Sequence, residues 1–191
     1  MIADLNIDIP AWFKEKAEAA RPQIKDIDSA MALAIEFSAE NIRRGHGGPF
    51  GAVVIRADDH SLVAAGANLV TSRGLSSLHA EVVALSLAQR MLKTWDLHSA
   101  GELILVSSCE PCIMCMGATI WSGVTHLVCG ARGSDAELAG FDEGPKPEHW
   151  EDQLRQRGIA VQVDVQRDAA AKVLAHYASG GGKIYNARGQ S

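Results

Sequence analysis

From Met31 to Ile42 the apolar residues Met31, Ala34, Ile35 and Phe37 recur three or four positions apart, the period of one helical face. Asp28 or Ser29 stands where that helix needs an N-cap, and Arg43, Arg44 and Gly45 supply cationic and glycine stop signals. The pattern then changes. His46-Gly47-Gly48-Pro49-Phe50-Gly51 is a turn by composition, and residues 52–56 form the β-branched run of a buried strand. Asp58-Asp59-His60 turns the chain into a second strand over 62–70, and so short a connection predicts an antiparallel hairpin.

Beyond a Ser/Arg/Gly loop, His79 opens a helix running to about Leu92 on Val82, Val83, Leu85, Leu87 and Ala88. Residues 103–106 are a continuous apolar strand, Pro111 begins a helix reaching Trp121, and 126–129 form the next strand. A strand, helix and strand in that order imply a parallel crossover. A helix over 148–157, a fifth strand over 159–165 and a helix over 168–178 capped by Asp168 follow, before Gly180-Gly181-Gly182 releases a tail. A hairpin followed by helix-linked parallel strands predicts the α/β class, as a three-layer α/β/α sandwich on a mixed sheet of about five strands. Residues 1–27, with a short helix over 11–21 bounded by Pro10 and Pro22, read as an N-terminal extension. Residues 28–179 read as one domain and 180–191 as a C-terminal tail.

Composition narrows the setting. With 47% hydrophobic and 21% charged residues, the 191-residue chain suits one buried core. No apolar run approaches the ~18 residues of a membrane span, and the first residues lack a basic-then-apolar leader, so a cytoplasmic protein is expected. A net charge of −5 argues against a nucleic-acid partner. Three of the four cysteines, Cys109, Cys112 and Cys115, crowd into seven positions, which is ligand or catalytic spacing rather than a disulfide framework.

The chemistry concentrates in His79-Ala80-Glu81 and Pro111-Cys112-Ile113-Met114-Cys115. His79, Cys112 and Cys115 are three nitrogen and sulfur ligands, the number a catalytic zinc site holds while keeping its fourth position open. Zinc lowers the pKa of bound water towards ~7, and Glu81 is placed to move the proton. Two residues in a regular helix diverge, so this requires His79 to occupy an irregular first turn. A lone C-x-x-C also fits a redox pair, and Cys109 could close a structural zinc site as fourth ligand. The order H-x-E then P-C-x-x-C matches the signature of zinc base deaminases and favours one catalytic Zn2+ per chain.

The stretches Gly47-Gly48-Pro49-Phe50-Gly51-Ala52, His79-Ala80-Glu81-Val82, Ser107-Ser108-Cys109-Glu110-Pro111-Cys112, Ala118-Thr119-Ile120-Trp121 and Ala139-Gly140-Phe141-Asp142-Glu143 resemble the cytidine-deaminase-fold superfamily, and more narrowly its small guanine deaminases. The resemblance implies a zinc-dependent aminohydrolase converting guanine to xanthine and ammonia, as a homodimer whose C-terminal segment is exchanged to close a partner's site. It further implies that Phe50 and Trp121 line or stack on the base and that Asn68 hydrogen-bonds its polar edge. By the same resemblance the Ala80 backbone N–H serves the carbonyl, Glu143 is a second proton-moving carboxylate, and Tyr185 belongs to the closing tail. Glu143 stands where the family often has Asp. Other amino-heterocycles (an aminotriazine such as ammeline, cytosine, guanosine) and tRNA adenosine are the alternative substrates, the last disfavoured by the acidic balance.

Overall fold

The structure, a computed structural model, describes residues 7–186. The first six residues of the expected extension and residues 187–191 of the expected tail lie outside the described residues. Helix α1 (Ala11–Ala20) ends in a 3-10 turn at Pro22 and buries Trp12 and Phe13 against Phe37 of α2 (Ile27–Arg43), so the extension packs into the core. Trp12 Nε1 also donates to His46 Nδ1 at 3.0 Å, tying α1 to the turn before the first strand.

α2 begins a little earlier than its hydrophobic stripe suggests. The cap is Asp26, not Asp28 or Ser29: its carboxylate accepts the Ser29 N–H at 2.8 Å, and Ser29 Oγ accepts the Asp26 N–H at 3.1 Å. This reciprocal box satisfies two donors at the helix start with a serine in the position usually held by Glu or Gln.

Five strands follow: β1 (Gly51–Arg56), β2 (Leu62–Ala67), β3 (Leu103–Cys109), β4 (His126–Ala131) and β5 (Ala160–Gln162), in spatial order β2-β1-β3-β4-β5. β1 is antiparallel to β2 and β3, while β3, β4 and β5 run parallel, which is the expected mixed sheet. Two strands are shorter than expected. β2 stops at Ala67 because the Asn68 side chain turns to local main chain, its Oδ1 accepting the N–H groups of Gly48 and Val70. β5 ends because Asp164 and Gln166 take φ of +64° and +52°, outside the extended region.

The helices cover both faces. Val53, Ile55, Ile104, Val106 and Val128 point towards α1 and α2. Ala52, Val54, Leu103, Leu105 and Leu127 point towards α4 (Ala80–Leu92), α5 (Ile113–Ser122) and α7 (Trp150–Arg155). Both faces being buried, β1 and β3 read as continuous apolar runs rather than alternating ones. α8 (Arg167–Ser179) starts at Arg167, so Asp168 lies in its first turn rather than capping it; Gln166 is the cap residue and its Nε2 donates to Asp28 O at 2.8 Å. Two short helices, α3 (Val70–Arg73) and α6 (Gly133–Leu138), carry too few apolar residues to announce a period.

Close approach of β1 to α2 sets the depth of the fold at its functional end. A Cβ on Gly51 would collide with the main chain of Ala34 and Ser38, neither of which can swing aside. Gly51→Ala is therefore expected to destabilise the protein by about 3 kcal/mol, the upper range for overpacking, as read from urea unfolding.

Candidate active site

β3 delivers the chain to Glu110, whose N–H donates to Ala131 O at the end of β4, and Pro111 then directs it to α5. Pro111 does not itself open the helix. Cys112 is the N-cap, extended at φ −65° and ψ 173°, and Cys115 lies one turn in. His79 caps α4 in the same way, at φ −68° and ψ 157°. Both residues thus stand just outside their helices, which is the irregular geometry that lets His79 and Glu81 serve one site. His79 Nδ1 lies 3.5 Å from Cys112 Sγ, and one ligand atom from each of His79, Cys112 and Cys115 falls within 4.8 Å of the others. Ligand atoms around a tetrahedral zinc are separated by roughly 3.5–3.8 Å, so the donor set fits that ion after a small contraction. Cys109 is not in this group; it is buried, with Sγ 3.6 Å from Arg132 O.

The electrostatics favour one anionic sulfur, that of Cys112. The Cys115 thiol beside it holds Cys112 down to about 4 against the opposing effect of burial, with His79 assisting. Cys115 is pushed the other way by its Cys112 neighbour and by burial. Burial would lower His79, but Cys112 and the Glu81 charge turn its net shift upward. The first N–H groups of α4 and α5 have no partner within their helices and present partial positive charge here.

Two carboxylates share the cavity of about 400 Å³ that this cluster opens into. Glu81 is 5% exposed and Glu143 7%. Burial raises Glu81 to about 7, and the Cys112 charge adds to the rise. Burial and Cys112 likewise raise Glu143 to about 8, with Lys146 pulling back. Carboxyl groups shifted to this range can both give and take a proton near neutral pH. Glu143 Oε2 is buried with no hydrogen-bond partner among the described residues.

The other expected residues divide. Phe50 lines the cavity, its ring 4.9 Å from Phe141 in an edge-to-face pair. Asn68 is fully buried and does not itself line the cavity, yet its Nδ2 has no partner among the described residues. Ala80 is the first residue of α4, so its N–H is one of the free helix-start donors. Trp121 does not line or stack over this cavity. It is 83% exposed, at the far end of α5 from Cys112, about 14 Å along the axis at about 1.5 Å per residue. Tyr185 does line the cavity, its ring 5.3 Å from Phe141 and 6.4 Å from His79.

Residues 183–186, which carry Tyr185, lie against this chain's own cavity. After α8 the Gly182 N–H donates to Tyr177 O and the Tyr177 hydroxyl to Lys183 O, a reversal made at Gly181 with φ +73°. Asn186 then clasps the Glu143 loop: its Nδ2 donates to Gly140 O at 2.9 Å and its Oδ1 accepts the Asp142 N–H at 3.0 Å. Gly48 is needed beneath the tail, since a Cβ there would sit 2.8 Å from Tyr185 Cε1. Phe141, Glu110 and Asn186 also line the cavity and were not singled out from the sequence. Phe141 and Glu110 do flank residues that were, whereas Asn186 had no local signal.

Comparison with known proteins adds to this geometry. The cytidine and deoxycytidylate deaminase zinc-binding region matches residues 24–131. The guanine deaminase of Bacillus subtilis is 39% identical over 116 residues, covering 61% of this chain and 71% of that protein. A solved guanine deaminase from Nitrosomonas europaea is 42% identical with a TM-score of 0.86, covering 94% of this chain and 98% of its own. A structure of NE0047 in complex with 2,6-diaminopurine is 44% identical with a TM-score of 0.87, covering 97% and 98%.

Asn186→Ala removes both bonds of the tail's clasp, each worth roughly 0.5–1.5 kcal/mol. Trypsin cleavage after Lys183 is expected to quicken by about tenfold with the global unfolding midpoint unmoved, as followed by mass spectrometry.

Proposed function

The chain belongs to the cytidine and deoxycytidylate deaminase zinc-binding family, and from that premise we propose that it hydrolyses guanine to xanthine and ammonia. The observation that carries this reading is the pair of buried carboxylates, Glu81 and Glu143, lining one cavity beside the His79, Cys112 and Cys115 cluster. The proteins it resembles over nearly their whole length include a guanine deaminase and a chain solved with 2,6-diaminopurine, an aminated purine.

His79, Cys112 and Cys115 would hold one zinc ion per chain. When bound, zinc supplies the Lewis acidity that makes water nucleophilic near neutral pH. Guanine C2 lies between two ring nitrogens and bears the amine that leaves. Glu81 takes a proton from the attacking water and returns it to a ring nitrogen. Glu143 gives a proton to the amine, which departs as ammonia, and recovers one as the carbonyl of xanthine forms. Phe50, backed edge-to-face by Phe141, offers an apolar surface to the ring, and Tyr185 limits water from above. The free Asn68 amide and the Ala80 N–H are the donors for the polar edge and the carbonyl.

Residues 28–179 form the deaminase domain in this reading, with 180–191 as the closing tail. The exposed Trp121 on α5 suits contact with a second copy, making the enzyme a homodimer. Four free cysteines suit the reducing cytoplasm. Among the described residues no helix is long and apolar enough to cross a membrane.

With guanine as substrate, xanthine and ammonia are expected in equal amounts; absence of xanthine from metal-replete protein would falsify the substrate assignment. Glu81→Ala is expected to lower kcat/KM by about 10²–10⁴, and full activity in that variant sinks the mechanism. Removing metal with a chelator is expected to abolish turnover, and readdition of zinc to restore it at one ion per chain, as counted by plasma emission.

A further inference from the structure

Glu143 sits on the loop between α6 and α7, and two contacts hold the loop that carries it. The first is local: Glu143 O accepts the Ile113 N–H at 3.1 Å, fastening the loop to the start of α5. The second comes from Lys146. Its Nζ lies 3.1 Å from Glu110 Oε2, with the two side chains only 13% and 11% exposed. The same Oε2 accepts the Gly133 N–H at 3.0 Å, and the ammonium lies 5.0 Å over the Trp150 ring. Glu110 in turn precedes Pro111 and Cys112 and lines the cavity.

Gly133 shows how tightly these groups are gathered. A Cβ built on it would stand 2.9 Å from Lys146 Nζ, 3.4 Å from Glu110 Oε2 and 3.7 Å from Glu143 Cγ. The ammonium, its carboxylate partner and the stem of Glu143 therefore converge over one residue that has no side chain. Between Glu143 and Lys146 the chain is bent tightly, Gly144 at φ +69° and the Lys146 N–H donating to Gly144 O at 2.7 Å. Freedom of the Glu143 backbone is removed on one side by Ile113 and on the other by the buried ion pair.

We propose that Lys146, paired with Glu110 over Gly133, is a positioning residue for Glu143. A buried ion pair gives little net stability against an apolar replacement, so folding alone is a poor reason for one beside the cavity. Holding a long carboxylate is a better reason. Catalysis loses steeply when a proton-transfer group is displaced by about 1 Å, and Glu143, with two methylenes in its stem, has more rotamer freedom to lose than Asp would. The ammonium also opposes the upward push of burial on Glu143. This inference rests on the reading of Glu143 as a proton-moving group.

The test is a double-mutant cycle on the zinc-loaded full chain, comparing wild type, Lys146→Met, Glu143→Gln and the double variant. Lys146→Met is expected to lower kcat by about tenfold with KM within about twofold. In the Glu143→Gln background it is expected to cause no further fall, because the two act through one group. Binding of 8-azaguanine, measured by calorimetry, should be alike in wild type and Lys146→Met. Lys146→Arg, which keeps the charge, should hold kcat within about threefold. An equal fall in both backgrounds, a change in KM alone, unchanged kcat, or an Arg variant as poor as Met overturns the proposal. If Lys146→Met fails to fold, Gly133→Ala, which displaces the ammonium from its seat, replaces it in the cycle with the same expectation. The cycle is run on whichever aminated base the wild type turns over, so a wrong substrate and a wrong role for Lys146 give different results.

Discussion

The convergence of two helix starts on one point is the constraint from which the site follows. His79 and Cys112 both stand in extended conformation as N-caps, so each side chain leaves its helix axis and turns towards the other. Their contact at 3.5 Å brings Cys115 within reach one turn into α5 and leaves Glu81, in the first turn of α4, facing the same cavity. Orphan N–H groups at both helix starts stabilise anionic sulfur at the point where a metal needs it. Had either residue been helical, the ligands would point along different faces of separate cylinders.

The sheet makes that convergence possible. β3 and β4 run parallel, so their carboxyl ends release Cys112 and the Glu143 loop on the same side. β1 runs opposite to β3, so its amino end brings the Phe50 turn to that side too. Open α/β sheets bind ligands outside the carboxyl ends of their strands for this reason. Small residues then permit close layers: Gly51 lets β1 approach α2, and Gly66 lets β2 lie against Ala80 and Ala84 at the start of α4.

Burial supplies the chemistry that residue identity alone does not. An exposed Glu is ionised at neutral pH and donates nothing. Within the cavity burial pushes both Glu81 and Glu143 above the usual carboxylate range, towards the protonated form. Phe141 and Tyr185, held over the site by the Asn186 clasp, help to bury those carboxylates. The tail is therefore part of the electrostatics as well as of the enclosure.

Much of this was legible in the chain itself, because the signals were local. The ligand set, Glu81, the hairpin and the helix-linked parallel strands are each written within a few residues, by cap chemistry, turn composition and apolar period. Boundaries failed where a side chain outcompeted the period, as Asn68 does in ending β2 and Asp26 in starting α2. Other features had no local sign at all. Glu110 meets Lys146 across 36 positions and Asn186 meets Gly140 across 46. Trp121 shares a helix with Cys115 yet lies at its other end, in solvent. Sequence spacing specifies which groups share a turn or a face. Only the packing of layers, and the path of the tail after Gly181, decides which distant groups meet and which are kept from water.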